Sequence, residues 1–170
     1  APDVQVVENE GPKKAKGPND AGAAPNVRFS TDKLSIARTA LSIEMWILPD
    51  GRDGTLAQHG GGRMGYLLAL QDGRVGFSVR ISPDSLFTAE SQKPLDEGWH
   101  HLAAILTESG IIRLFIDGQP AAEQKIPGLI SGEPALGLQL GAVNNSAVSP
   151  FGKGAPYTGL RSEEHTSELQ

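Results

Sequence analysis

Residues 65–80 read GYLLALQDGRVGFSVR, and this stretch decides the fold class. Asp72-Gly73 stands between two apolar runs. A type I′ turn needs positive φ at both central residues, and Asp-Gly tolerates it, so the pattern reads as a β-hairpin. On the return run Val75, Phe77 and Val79 alternate with Gly76, Ser78 and Arg80. Period-2 alternation of this kind places one face in a core and leaves the other wetter.

The same grammar extends in both directions. Upstream, residues 41–48 (LSIEMWIL) put Leu41, Ile43, Met45 and Ile47 on one face and Ser42, Glu44, Trp46 and Leu48 on the other, before Pro49-Asp50-Gly51 stops the strand. Downstream, residues 99–107 (WHHLAAILT) are apolar on both faces in their second half, which predicts a central strand with Trp99 as a core anchor at its start. A TESG turn leads to residues 111–116 (IIRLFI), and a second Asp-Gly, Asp117-Gly118, turns the chain into QPAAEQKI. Pro120 directly after that turn marks a strand start or an edge. Residues 135–142 (ALGLQLGA) alternate Leu136, Leu138 and Leu140 with small or polar residues. No window keeps a 3.6-residue apolar period for three turns. At least seven short strands with turns every 8–12 residues predict an all-β, antiparallel sandwich or barrel.

Composition agrees. The chain of 170 residues is long enough for one domain with a real core, and its 21 Gly and 12 Pro suit many tight turns. A formal charge of −5 argues against nucleic acid as a partner, since phosphate binding needs a basic surface. The absence of cysteine excludes disulfides and thiolate metal sites. No apolar run approaches the ~20 residues of a membrane span.

The two ends read differently from the middle. Residues 1–25 are rich in Pro, Gly, Ala and charge, the composition of a linker or a fragment of a preceding region. Val4, Val6 and Val7 alone hint at a strand, and the KKAK cluster at residues 13–16 reads as solvated linker. Residues 161–170 (RSEEHTSELQ) resemble the in-frame translation of a short-read sequencing adapter. The natural chain is therefore expected to run to about Leu160, residues 161–170 to stand outside the fold, and Glu163, Glu164 and His165 not to form a metal or catalytic cluster.

With these residues in view, the chain resembles a known superfamily. The succession SIEMWILP, GYLLALQDGRVGFSV, GWHHLAAIL, RLFIDGQPAA, LQLGA and YTGL is similar to the laminin G-like jelly roll of the concanavalin A-like lectin/glucanase superfamily. Its most specific part is GWHHLA followed, after 11 intervening residues, by FIDG. The resemblance covers residues 26–160 and implies an antiparallel jelly-roll β-sandwich. In that family the pattern after YTGL continues as an Ile-Asp-Glu-Val strand that closes a sheet. Here RSEE stands instead, so the last strand is expected to be missing. An acidic residue that helps relatives hold a structural Ca²⁺ goes with it, leaving any Ca²⁺ site incomplete. A bare sheet edge predicts poor solubility. The resemblance also implies a module attached to a larger secreted bacterial protein, such as a sulfatase, a glycoside hydrolase or an adhesin, and hence an extracellular or periplasmic setting.

The candidate binding residues lie in turns and loops. Asp50, Arg52 and Asp53 occupy the LPDGRDG turn, and Asn144 and Asn145 follow LQLGA. Such oxygen donors suit sugar hydroxyls or Ca²⁺, although Asp and Asn are also ordinary turn formers. His59 and Arg63 flank a Gly-rich stretch read as a rim loop. It lacks the Lys-Ser/Thr and the helix that a phosphate-cradling loop requires. His100 and His101 are adjacent on a strand, point to opposite faces and cannot chelate one ion together.

Catalysis is not expected. The glucanase branch carries Glu-x-Asp-x-x-Glu on one strand, and no strand here does. There is no nucleophile elbow and no HExxH. Two functions remain in view: a carbohydrate-binding accessory module, or a protein-interaction module packing on a neighbouring domain.

Overall fold

The computed structural model describes residues 27–28, 35–142 and 148–169. The linker expected at residues 1–25, with its Val4–Val7 hint and its basic cluster, lies outside the described residues. Eleven strands are present among those described: β1 (Val27–Arg28), β2 (Ala40–Leu48), β3 (Gly54–Gly61), β4 (Met64–Gln71), β5 (Arg74–Ser82), β6 (Ser85–Glu90), β7 (His100–Leu106), β8 (Ile111–Ile116), β9 (Gln119–Lys125), β10 (Leu138–Leu140) and β11 (Leu160–Leu169). They form a six-stranded sheet, β1-β10-β3-β4-β5-β6, and a five-stranded sheet, β11-β2-β7-β8-β9. All strand pairs are antiparallel. The only helical element among the described residues is a 3-10 turn at Phe151–Gly154.

Alternation builds the core as the sequence predicts. Leu41, Ile43, Met45 and Ile47 of β2 face Tyr66, Leu68, Leu70, Val75, Phe77 and Val79 of β4 and β5 within one buried cluster, which Leu102, Ala104, Leu106, Ile112 and Leu114 complete. Each large side chain buried this way stabilises the fold by roughly 1.5–3 kcal/mol. Both Asp-Gly turns take the left-handed conformation expected of them, with φ of 51° and 73° at Asp72-Gly73 and 52° and 74° at Asp117-Gly118.

Three sequence expectations are corrected. The stretch around His59 is not a rim loop but the end of β3, which pairs along β4 and turns only at Gly62-Arg63. Its glycines serve the pairing: Gly60 and Gly65 sit opposite each other with φ of 93° and 140°, and a Cβ on either would strike the facing backbone. Trp99 is not a core anchor. It precedes β7 and is 46% exposed. Finally, residues 161–169, expected outside the fold, are placed in a strand: Leu160–Leu169 lie antiparallel along β2, with a register shift between Ser162 and His165. A free strand edge offers backbone N–H and C=O groups to any extended segment, so such pairing does not need the side-chain alternation that residues 161–170 lack.

Two family motifs have clear structural work. In YTGL, the Tyr157 hydroxyl donates to the Leu48 carbonyl at 2.8 Å and so pins this segment to the end of β2. Gly159 is required there because a Cβ would meet the Tyr157 hydroxyl and the Leu48 carbonyl. In GWHHLA…FIDG, the Asp117 carboxylate accepts the His101 backbone N–H at 2.8 Å and pairs with His100 Nδ1 at 2.8 Å. His100 Nε2 lies 3.0 Å from the Asp96 carbonyl. The fixed spacing of the two motifs is thus the spacing that brings the end of β8 beside the start of β7.

Burial alone would lower the His100 pKa, but its hydrogen bonds to Asp117 and the Asp96 carbonyl outweigh that and hold it above the ordinary 6.5. Burial would raise Asp117, yet His100 and the His101 N–H hold it below the ordinary 3.8. A raised histidine stabilises fully below its unfolded pKa and loses this contribution as pH climbs through the folded one. A lowered carboxylate contributes above its unfolded pKa and loses this as pH falls through the folded one. The pair therefore contributes most between about pH 4 and pH 6.5. Asp117→Asn keeps a residue suited to the left-handed turn and removes the charge. Its thermal unfolding should show a deficit of a few tenths to about 1 kcal/mol near pH 5.5 that shrinks near pH 8.5, the size of a partly exposed pair. A deficit equal at both pH values would contradict the assignment. Tyr157→Phe should cost about 1 kcal/mol at either pH, read in the same melts.

Candidate functional site

Those sequence-predicted residues that are described fall into two separate groups. Asp50, Arg52 and Asp53 occupy the end of the sandwich where β2 finishes and β3 begins, whereas His59 and Arg63 lie toward the other end of β3. At ~3.3 Å per residue the two groups are about 20 Å apart. Asn144 and Asn145 lie outside the described residues.

The first group consists of working turn formers. Asp50 Oδ1 accepts the Arg52 backbone N–H at 3.1 Å, and Oδ2 accepts the Thr158 hydroxyl. Asp53 Oδ1 accepts the Asp72 N–H at 2.6 Å, tying this turn to the β4–β5 hairpin. Arg52 is exposed. Ca²⁺ takes six to eight oxygen ligands, usually with several carboxylates. Among the described residues no three His, Asp or Glu side chains are grouped to hold a metal.

His59 is only 1% exposed and packs edge-on against Tyr66, with ring centroids 5.7 Å apart. Burial holds its pKa below 6.5, with the Glu133 charge opposing. It is buried in the core, not displayed at a rim. Arg63 remains exposed in the β3–β4 turn.

The outer face of the six-stranded sheet is partly covered by the chain itself. Val148 packs with Leu67 and Ala69, and Phe151 joins them. The Phe151 ring fills the space where a Cβ on Gly76 would stand. Arg80 Nε donates to the Val148 carbonyl at 2.8 Å, and the Gly152 N–H donates to Gln71 Oε1 at 3.1 Å.

The outer face of the five-stranded sheet is different. Because Ile43, Met45 and Ile47 point inward, Glu44 and Trp46 must point outward. Antiparallel register sets Trp46 opposite His101 of β7 and Glu44 opposite Ala103. The Trp46 and His101 rings are 5.2 Å apart at 51°, and His101 Nε2 lies 3.6 Å from Glu44 Oε2. Trp46 is 43% exposed, a high value for so large an apolar side chain on a sheet. An indole propped by a histidine, with a carboxylate beside it, offers an apolar platform, a hydrogen-bond acceptor and an imidazole N–H. Trp99, just before β7 and two residues before His101, is a second exposed indole. Alternation within SIEMWIL was enough to pair Glu44 with Trp46. His101 as their partner required the cross-strand register.

The family model described as the concanavalin A-like lectin/glucanases superfamily, in its laminin G form, matches residues 20–159. Among solved structures, domains LG4-5 of the mouse laminin α1 chain align with TM-score 0.61 and 20% identity, covering 77% of this chain and 36% of that one. A native heptameric SAP-like pentraxin from Limulus polyphemus aligns with TM-score 0.55 and 15% identity, covering 78% and 67%. Botulinum neurotoxin type C, in a structure concerned with cell entry dependent upon interaction with two ganglioside molecules, aligns with TM-score 0.53 and 14% identity, covering 68% and 30%. This chain thus spans about a third of the laminin and toxin chains, and likeness at such identity speaks to the fold alone. No curated protein matches the sequence. The two antiparallel sheets, the motif-bearing strands and the family match over most of its length agree: the chain belongs to the concanavalin A-like lectin/glucanases superfamily as a laminin G-like domain.

Proposed function

We propose that this domain is a non-catalytic, carbohydrate-binding module of a larger extracellular or periplasmic protein, with Trp46 as its sugar platform. Domains of this family are generally binding modules without catalysis, and no described helix is long and apolar enough to cross a membrane. The observation that carries the reading is the exposed Trp46 indole, held against His101 with the Glu44 carboxylate beside it. The C–H face of a pyranose stacks on an aromatic face, while neighbouring polar groups bond its hydroxyls and fix its orientation. The six-stranded sheet does not offer an equivalent free surface around Gly76, because Phe151 lies there. On this reading Asp50, Asp53 and Thr158 shape the adjoining end of the sandwich instead of contacting ligand.

A glycan array probed with the whole chain, with and without Ca²⁺, tests the proposal. Retained glycans should bind about tenfold more weakly to Trp46→Ala, the loss of one stacking contact, with an unchanged melting temperature. A blank array under both conditions, or binding indifferent to Trp46, would overturn it and favour docking against a neighbouring protein domain.

A further inference from the structure

The charges around the platform specify which saccharide it suits, an inference that rests on the carbohydrate-binding reading above. Glu44 is exposed, with His101 Nε2 3.6 Å from its Oε2 on the β7 side and His165 as its register partner on β11. Among the described residues, two guanidinium groups of the same sheet, Arg113 and Arg161, are engaged elsewhere. Arg113, on the outer face of β8, is held by Glu123 with Nε–Oε2 of 2.7 Å. Arg161 pairs in register with the inward-facing Ile47, and its guanidinium reaches 3.5 Å from the Leu56 carbonyl of the opposite sheet. Toward the adjoining end, Asp50, Asp96, Glu97 and Asp117 are exposed, against the exposed Arg52 and Lys93.

An indole face attracts cations as well as C–H groups, and a carboxylate beside it accepts charge-assisted hydrogen bonds from an ammonium. The same field repels carboxylate- or sulfate-bearing sugars. We propose that the Trp46–Glu44 site binds amino sugars carrying a free, protonated 2-amino group, prefers them to their N-acetylated counterparts, and rejects acidic sugars. The ammonium approaches Glu44 while the ring stacks on Trp46.

Calorimetric titration of the whole chain with three probes tests this: fully deacetylated glucosamine oligomers, N-acetylglucosamine oligomers of the same length, and oligogalacturonate, at a pH where the amine is protonated. The deacetylated oligomer should bind about fivefold more tightly than the acetylated one, the upper range for one exposed ion pair. That advantage should shrink with added salt, and the acidic oligomer should show no heat of binding. Glu44→Gln should bring the ratio of the two affinities toward one, and Trp46→Ala should weaken binding of both. Equal affinity for the two oligomers, still dependent on Trp46, would overturn the charge preference and leave the carbohydrate reading standing. Preference for the acidic oligomer, or a ratio unchanged in Glu44→Gln, would also overturn it. Silence from all three probes would overturn it too, and the array then decides whether the carbohydrate reading falls with it.

Discussion

A β-strand has two faces, and in this molecule the core claims one face of each central strand. Ile43, Met45 and Ile47 of β2 meet Leu102 and Ala104 of β7 and the inward side chains of the opposite sheet. Once they do, Glu44 and Trp46 have no choice but to face outward, since a one-residue slip would exchange the two sets. The platform is therefore a by-product of core formation. It needs no loop to position it, and its rigidity is that of the sheet. This constraint also explains why His100 and His101, adjacent in sequence, have unrelated tasks. His100 is tied to Asp117 where two strands come together, while His101 props Trp46 on the outer face.

How much of this was legible in the sequence depended on whether one face differed from the other. β2, β5 and the Asp-Gly hairpins announced themselves because apolar and polar residues alternate and the turns demand positive φ. β3 did not. Thr55, Leu56, Ala57, Gln58 and His59 are all buried, between the core on one side and strands on either edge, so no alternation marks the strand, and its glycines resemble a loop. The short β6, SLFTAE, was equally unmarked. Trp99 was misjudged because it abuts an apolar strand, whereas its backbone lies outside β7. Among candidate ligands, Asp50 and Asp53 also have a structural task legible from their type: short carboxylates accept backbone N–H groups in turns. Glu44 and Trp46 could be placed on one face by counting, but their histidine partner belongs to a strand more than fifty residues away in sequence, and only register brings it there.

The two sheets put their outer faces to different uses. On the larger sheet, residues 148–154 lie against β4 and β5, and Gly76 leaves room for the Phe151 ring to approach the backbone. That face is thereby made into a second, small apolar cluster of Leu67, Ala69, Val148 and Phe151. The smaller sheet keeps large aromatic surface in water at Trp46. An exposed indole normally gains by burial, at roughly 25 cal/mol per Å² of apolar area removed from water. Among the described residues, none buries it as Phe151 covers Gly76. A surface whose burial is favourable, whose orientation is fixed in advance and whose border carries a fixed carboxylate loses little conformational entropy when a flat, hydroxylated ring settles on it. That combination, rather than the acidic turns at the end of the sandwich, is the physical basis of the sugar site proposed on the outer face of the five-stranded sheet.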